Sequence, residues 1–118
     1  MLVVDDERDE VLTLVALLRD EGYDARGAYR GKDALELVRD FDPQAVLLDI
    51  GMPDLNGYEA ARLIRKRYGS ASPLLVAVTG WKKPSDRLLA ELAGFDHHVA
   101  KPYDPQLLLS LLKALESR

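Results

Sequence analysis

Along the chain, short aliphatic runs alternate with longer stretches in which apolar residues recur every three or four positions. The short runs are Leu2 to Val4, Asp24 to Ala28, Ala45 to Leu48, Leu74 to Thr79 and His97 to Ala100. Most are rich in Val, Leu and Ala and end near Gly, Pro or Asp, so they read as strands, with only the second weakly apolar. Between them, Val11, Leu14, Val15 and Leu18 follow the i, i+3, i+4, i+7 spacing of an amphipathic helix, as do Ala34, Leu37, Val38 and Phe41. Asn56 with Glu59 three residues on predicts an N-cap and capping box opening a third helix, with Ala60, Leu63 and Ile64 on its inner stripe. A fourth helix starts near Pro84 to Asp86 and stops at Gly94, a residue suited to positive φ. Asp104 caps the last helix, with Pro105 at its first position and Leu108, Leu111, Leu112 and Leu115 on one face. This alternation predicts an α/β fold of five β-α repeats around a parallel sheet.

Length and composition narrow the class. A chain of 118 residues is the usual size of one domain, so residues 1–118 are read as a single unit. It is 47% hydrophobic and 31% charged, as in ordinary globular proteins. The net charge of -4 opposes non-specific phosphate attraction, so no direct nucleic-acid contact is expected. The absence of cysteine excludes disulfides, Fe-S clusters and thiolate zinc sites. No apolar stretch is long enough to span a bilayer, and the start MLVVDDERDE turns acidic too early for a signal peptide, so a cytoplasmic location without membrane contact is expected.

In open parallel sheets, ligands sit beyond the carboxyl ends of the strands. Here the first strand ends in Asp5, Asp6 and Glu7, the third in Asp49, the fourth in Thr79, and the fifth in Lys101 and Pro102. Taken singly, each has an ordinary role: an Asp after a strand forms turns, Thr favours strands, and Lys is usually solvated. Together they bring three carboxylates, a hydroxyl and an ammonium to one edge of the sheet. Two unit negative charges about 4 Å apart repel by about 4 kcal/mol at an effective dielectric near 20. Either a pKa rises or a cation binds, and an all-oxygen set with room for water suits Mg2+. With such an ion, a carboxylate can attack phosphorus while Lys101 offsets charge and Thr79 donates a hydrogen bond.

The pattern VVDD, LLDIGMPDLNG, AVTG and AKP resembles the receiver domain of two-component response regulators, over the whole chain. The resemblance implies a flavodoxin-like fold, with a five-stranded parallel sheet in the order 2-1-3-4-5 and helices on both faces, an arrangement for which a member of this family is a standard example. It implies that Asp49 is the phosphoacceptor. Asp5, Asp6, Asp49 and the Gly51 carbonyl would serve Mg2+, Thr79 and Lys101 would contact the phosphate, and the Lys101-Pro102 bond would be cis. The implied partner is a histidine kinase or histidine phosphotransfer domain, and the implied product is a signalling change rather than turnover of a substrate. Output would run through the face of the fourth helix, fifth strand and fifth helix, which could also support a homodimer.

The stretch VTGWKKPSDRLLAELAGFDHHVAKPYDP resembles receivers fused to hybrid sensor histidine kinases, with a stand-alone single-domain response regulator as the alternative. Two departures stand out. His98 occupies the position, three before the Lys, where the family often has the Tyr or Phe of its switch, and the first strand begins almost at Met1, as in an excised domain. A small Mg2+-dependent phosphatase would commonly add a second acid two residues after its Asp, where this chain has Gly51, together with a substrate cap, for which there is no insertion. A receiver-like module that accepts no phosphate would usually lack one of the site residues, all of which are present. Arg62, Arg65, Lys66 and Arg67 suit the C-terminal end of the third helix as a solvated face. Adjacent His97 and His98 alternate sides of a strand and are not expected to share a metal. Trp81 is a candidate fluorescence reporter.

Overall fold

The structure is a computed structural model that describes residues 1–52, 55–80 and 84–116. The elements run β1 (Leu2–Val4), α1 (Arg8–Asp20), β2 (Arg26–Ala28), α2 (Gly31–Phe41), β3 (Ala45–Asp49), α3 (Gly57–Tyr68), a 3-10 turn (Gly69–Ala71), β4 (Leu74–Thr79), α4 (Pro84–Ala93), β5 (His97–Ala100) and α5 (Pro105–Glu116). All strand pairs are parallel, in the order β2-β1-β3-β4-β5, the flavodoxin-like arrangement. Among the described residues no helix is long and apolar enough to cross a membrane.

Strand side chains divide by alternation between two cores. Leu2, Val4, Val46, Leu48, Leu75 and Ala77 pack with Ala34 and Val38 of α2, Ala60, Ala61 and Ile64 of α3, and Ala90 and Ala93 of α4. Val3, Leu47, Val76 and Val78 pack on the other face with Val11, Leu14, Val15 and Leu18 of α1 and Leu108, Leu109 and Leu112 of α5. Coverage on both faces explains why β3 and β4 are continuous apolar runs rather than alternating ones. Each buried Leu or Val contributes about 1.5–3 kcal/mol relative to exposure, which anchors the strands that reach the site.

Local signals act largely where the sequence places them. The Asn56 side chain accepts the Glu59 N–H at 3.0 Å, and its amide donates to the Glu59 carboxylate at 3.0 Å. Asp104 accepts the Gln106 N–H at 2.9 Å at the start of α5. β3 ends in Asp49, as the sequence reading has it, and Asp49 pairs with Val78. Three expectations need correction. β2 begins at Arg26 rather than Asp24, because this edge strand pairs only along Leu2 to Val4. Leu63 is 44% exposed, and Ala61 takes its inner place, since the helix face set by Gly57, Ala60, Ala61 and Ile64 turns Leu63 outward. Arg65 is not simply solvated: its guanidinium donates to the Gly94 carbonyl at 2.8 Å, the Pro73 carbonyl at 3.2 Å and Asp96 at 2.6 Å. Gly94 has φ 105°, and a Cβ there would lie 2.7 Å from the Arg65 side chain, so both backbone conformation and the close approach require glycine.

Candidate functional site

The carboxyl ends of four adjacent strands deliver the polar groups. Asp5 follows β1, Asp49 ends β3, Thr79 ends β4 and Lys101 follows β5. One carboxylate oxygen each from Asp5, Asp6 and Asp49 fall within 4.8 Å of one another; Asp5 is buried, Asp49 half-buried and Asp6 exposed. Asp5 and Asp49 lie two residues beyond Val3 and Leu47, so strand alternation puts them on the α1 and α5 side of the sheet. The Lys101 ammonium is 2.7 Å from Asp5 Oδ2, 2.9 Å from Glu10 Oε2 and 4.0 Å from Asp49 Oδ2. It therefore sits against the acidic cluster but hydrogen-bonds to Asp5 and Glu10, not to Asp49.

This arrangement separates the acids. Burial and then the charge of Asp5 push the Asp49 carboxyl up from 3.8 to about 6, with the Gly51 N–H, 3.2 Å from Oδ1, and Lys101 acting the other way. Burial alone would raise Asp5 too, but its hydrogen bonds from Lys101 and from the Glu7 N–H at 3.0 Å hold it below the ordinary carboxylate range. Burial disfavours the charged Lys101, yet Asp5, Glu10 and the Asp49 charge outweigh it and raise the ammonium above its ordinary value. Asp49 is thus the acid that carries the repulsion foreseen for the cluster.

The loop after β3 is held close to the strand. Gly57 N–H donates to the Ile50 carbonyl at 3.0 Å, Ile50 and Met52 are buried, and a Cβ on Gly57 would lie 2.7 Å from both the Asp49 carbonyl oxygen and Ile50 Cα. Only glycine at the start of α3 allows that approach. Gly51 is exposed beside Asp49, while Pro53 of the same loop and the Trp81 reporter lie outside the described residues. Thr79 is 1% exposed, one residue farther along the sheet than the partner of Asp49, and its carbonyl accepts the Lys101 N–H at 2.7 Å. The Lys101-Pro102 peptide is cis.

His98 is the one sequence candidate that stands apart. It lies on β5, paired with Ala77 of β4, and its Nε2 is buried with no hydrogen-bond partner among the described residues. Together with His97, Glu91 and Asp96 it lines a cavity of about 230 Å³. Among the described residues the group of side chains able to share a metal is Asp5, Asp6 and Asp49, with no histidine. Glu10 and Tyr103 were missed. Tyr103 is packed beside Glu10, and its phenol is raised first by burial and next by the Glu10 charge. The only signal for Glu10 was its place in the first turn of α1, where an acid commonly favours the helix dipole.

The donor set is three carboxylates, hard oxygen ligands with an exposed member that leaves room for water, which fits Mg2+ rather than a softer metal. Receiver domains bind Mg2+ at an acidic pocket of this kind. Comparison with known proteins agrees with the geometry. A family model described as the response regulator receiver domain matches residues 1–113. The receiver domain of a response regulator from Bermanella marisrubri is 29% identical, covers 97% of this chain and 94% of its own, and superposes with a TM-score of 0.87. A BeF3-activated DrrB receiver domain is 28% identical over 99% of this chain and 96% of its own, with a TM-score of 0.86. A CheY-like receiver domain protein from Methanospirillum hungatei JF-1 is 26% identical over 96% and 89%, with a TM-score of 0.88. With the five-stranded topology, the strand-end acids and a family match over nearly the whole length, the chain belongs to the response regulator receiver domains, the signalling domains of two-component systems.

Proposed function

We propose that the chain, as one receiver unit over residues 1–118, accepts a phosphoryl group on Asp49 from the phosphohistidine of a histidine kinase or a histidine phosphotransfer domain. The observation that carries this reading is the close set of Asp5, Asp6 and Asp49, with the Lys101 ammonium 4.0 Å from Asp49. In the transfer, an Asp49 carboxylate oxygen forms the new bond to phosphorus, the P–N bond of the donor breaks, and its electron pair returns to the imidazole. Asp5, Asp6, Asp49 and the Gly51 carbonyl would hold Mg2+. That ion, when bound, supplies positive charge that offsets the phosphoryl oxygens and the carboxylates. Lys101 is the ammonium for a phosphoryl oxygen, and Thr79 the hydroxyl for another. The domain assists its own phosphorylation and switches a surface instead of turning over a substrate.

The switched surface is the face of α4, β5 and α5, because Thr79 leads into α4 and Lys101 into α5. Leu88, Leu89 and Leu92 on α4 and Leu107 on α5 are exposed, which supports protein contact there, including a homodimer. His98 would couple more weakly than a larger aromatic. The stretch from Val78 to Pro105 favours a hybrid histidine kinase as the parent protein, with a stand-alone response regulator as the second reading. The test is incubation with Mg2+ and a small phosphodonor, then mass spectrometry. A single aspartyl phosphate on Asp49, absent without the cation and absent from Asp49→Asn, is expected, whereas full labelling of that variant at another residue overturns the assignment.

A further inference from the structure

We propose that Glu10 is a positioning residue that competes with the phosphoryl group for Lys101, holding the ammonium in a seat shared with Asp5 until an anion at Asp49 draws it away. The inference rests on the reading of Asp49 as phosphoacceptor and assigns a role to a residue outside the strand-end set. An ammonium has three N–H donors. Two of them go to Asp5 at 2.7 Å and Glu10 at 2.9 Å, while Asp49 at 4.0 Å is beyond hydrogen-bond reach. The third N–H is left for an anion on Asp49, and because Asp49 stands 4.0 Å away, a shift of the ammonium toward that anion stretches the contacts it already makes with Asp5 and Glu10.

The two partners are unequal. The Asp5 side chain is 8% exposed and its other oxygen accepts the Glu7 N–H, so abandoning it would strand a buried charge. The Glu10 side chain is 48% exposed, and water can replace the ammonium at its carboxylate. Glu10 is thus the releasable contact. Its reach follows from the fold: Glu10 and Leu14 lie one helical turn apart on α1, and both border Asp5 and Tyr103 beneath the site.

Removing the competitor should favour anion binding. The change expected for a half-exposed ion pair is about two- to fivefold. The experiment measures beryllofluoride affinity, with Mg2+ present, for the wild type, Glu10→Ala and Asp9→Ala. It also measures the side-chain ammonium resonance of Lys101 by NMR in metal-free protein. Asp9 is exposed on the same turn of α1, so its variant removes a similar charge as a control. The expected result is a two- to fivefold tighter beryllofluoride complex for Glu10→Ala alone, together with a Lys101 ammonium signal that is visible in the wild type and exchange-broadened in that variant. Equal gains in both variants, no gain in Glu10→Ala, or an unaltered Lys101 signal would each overturn the role of Glu10. A wild type that binds no beryllofluoride overturns the phosphoacceptor reading and this inference with it.

Discussion

At the scale of single residues, Asp49 sits in an environment that favours its neutral form, and that has a consequence for stability. Its folded-state value, about 6, lies above the ordinary 3.8, so its contribution to stability is fully present below 3.8 and is lost as the pH rises through 6. Asp5 acts in the opposite sense. Its lowered value makes a contribution that is present above the ordinary carboxylate range and lost as the pH falls through its folded value. Asp49→Asn removes the first effect without touching the second. The variant should therefore unfold at higher urea than the wild type at pH 8, by roughly 1–2 kcal/mol after solvent screening, and should match it near pH 4. Urea titrations at the two pH values check both the size and the sign. The stabilisation comes from relieving the burial of a charged Asp49 and, after that, its repulsion by the ionised Asp5.

At the scale of elements, the site depends on where the β3 loop enters α3. Ala is a better helix former than Gly by about 1 kcal/mol, so propensity alone would make Gly57→Ala stabilising. The steric effect opposes it, because the new Cβ would meet two backbone positions at 2.7 Å, neither of which can swing aside as a side chain could. Overpacking of this kind costs about 1–3 kcal/mol, so the expected net result is a less stable protein with weaker Mg2+ binding. Denaturant titration and metal calorimetry on Gly57→Ala measure the two effects separately. Farther down, Arg65 fastens the C-terminal half of α3 to the Gly94 turn and to Asp96, which also accepts the Leu75 N–H at 2.8 Å. The basic cluster on α3 therefore contains one structural clamp among solvated charges.

At the scale of the whole molecule, a change at Asp49 can reach the surface through β4 and β5, which the Thr79 carbonyl and Lys101 N–H join at 2.7 Å. With beryllofluoride and Mg2+, hydrogen exchange should change in α4 and α5 as well as around Asp49, and the change in α4 and α5 should shrink in His98→Ala. Altered protection confined to the Asp49 loops would remove this route to output. The sequence by itself determined the parts that depend on backbone periodicity: which runs are strands, which acids and which lysine stand at their ends, and where Asn56, Gly94 and Asp104 bound the helices. Those features repeat every two or 3.6 residues, so neighbouring residues are enough to specify them. The strand order followed from resemblance to receiver domains, since periodicity fixes the faces of a strand but not its neighbours. Only the tertiary structure decided that Glu10 shares Lys101 with Asp5, that Arg65 clamps Asp96, and that Leu63 turns outward. Glu10 and Lys101 are 91 residues apart, and Arg65 and Asp96 are 31 apart. Contacts at such separations depend on which helix covers which face of the sheet and at what height, and that placement is set by packing of the whole core.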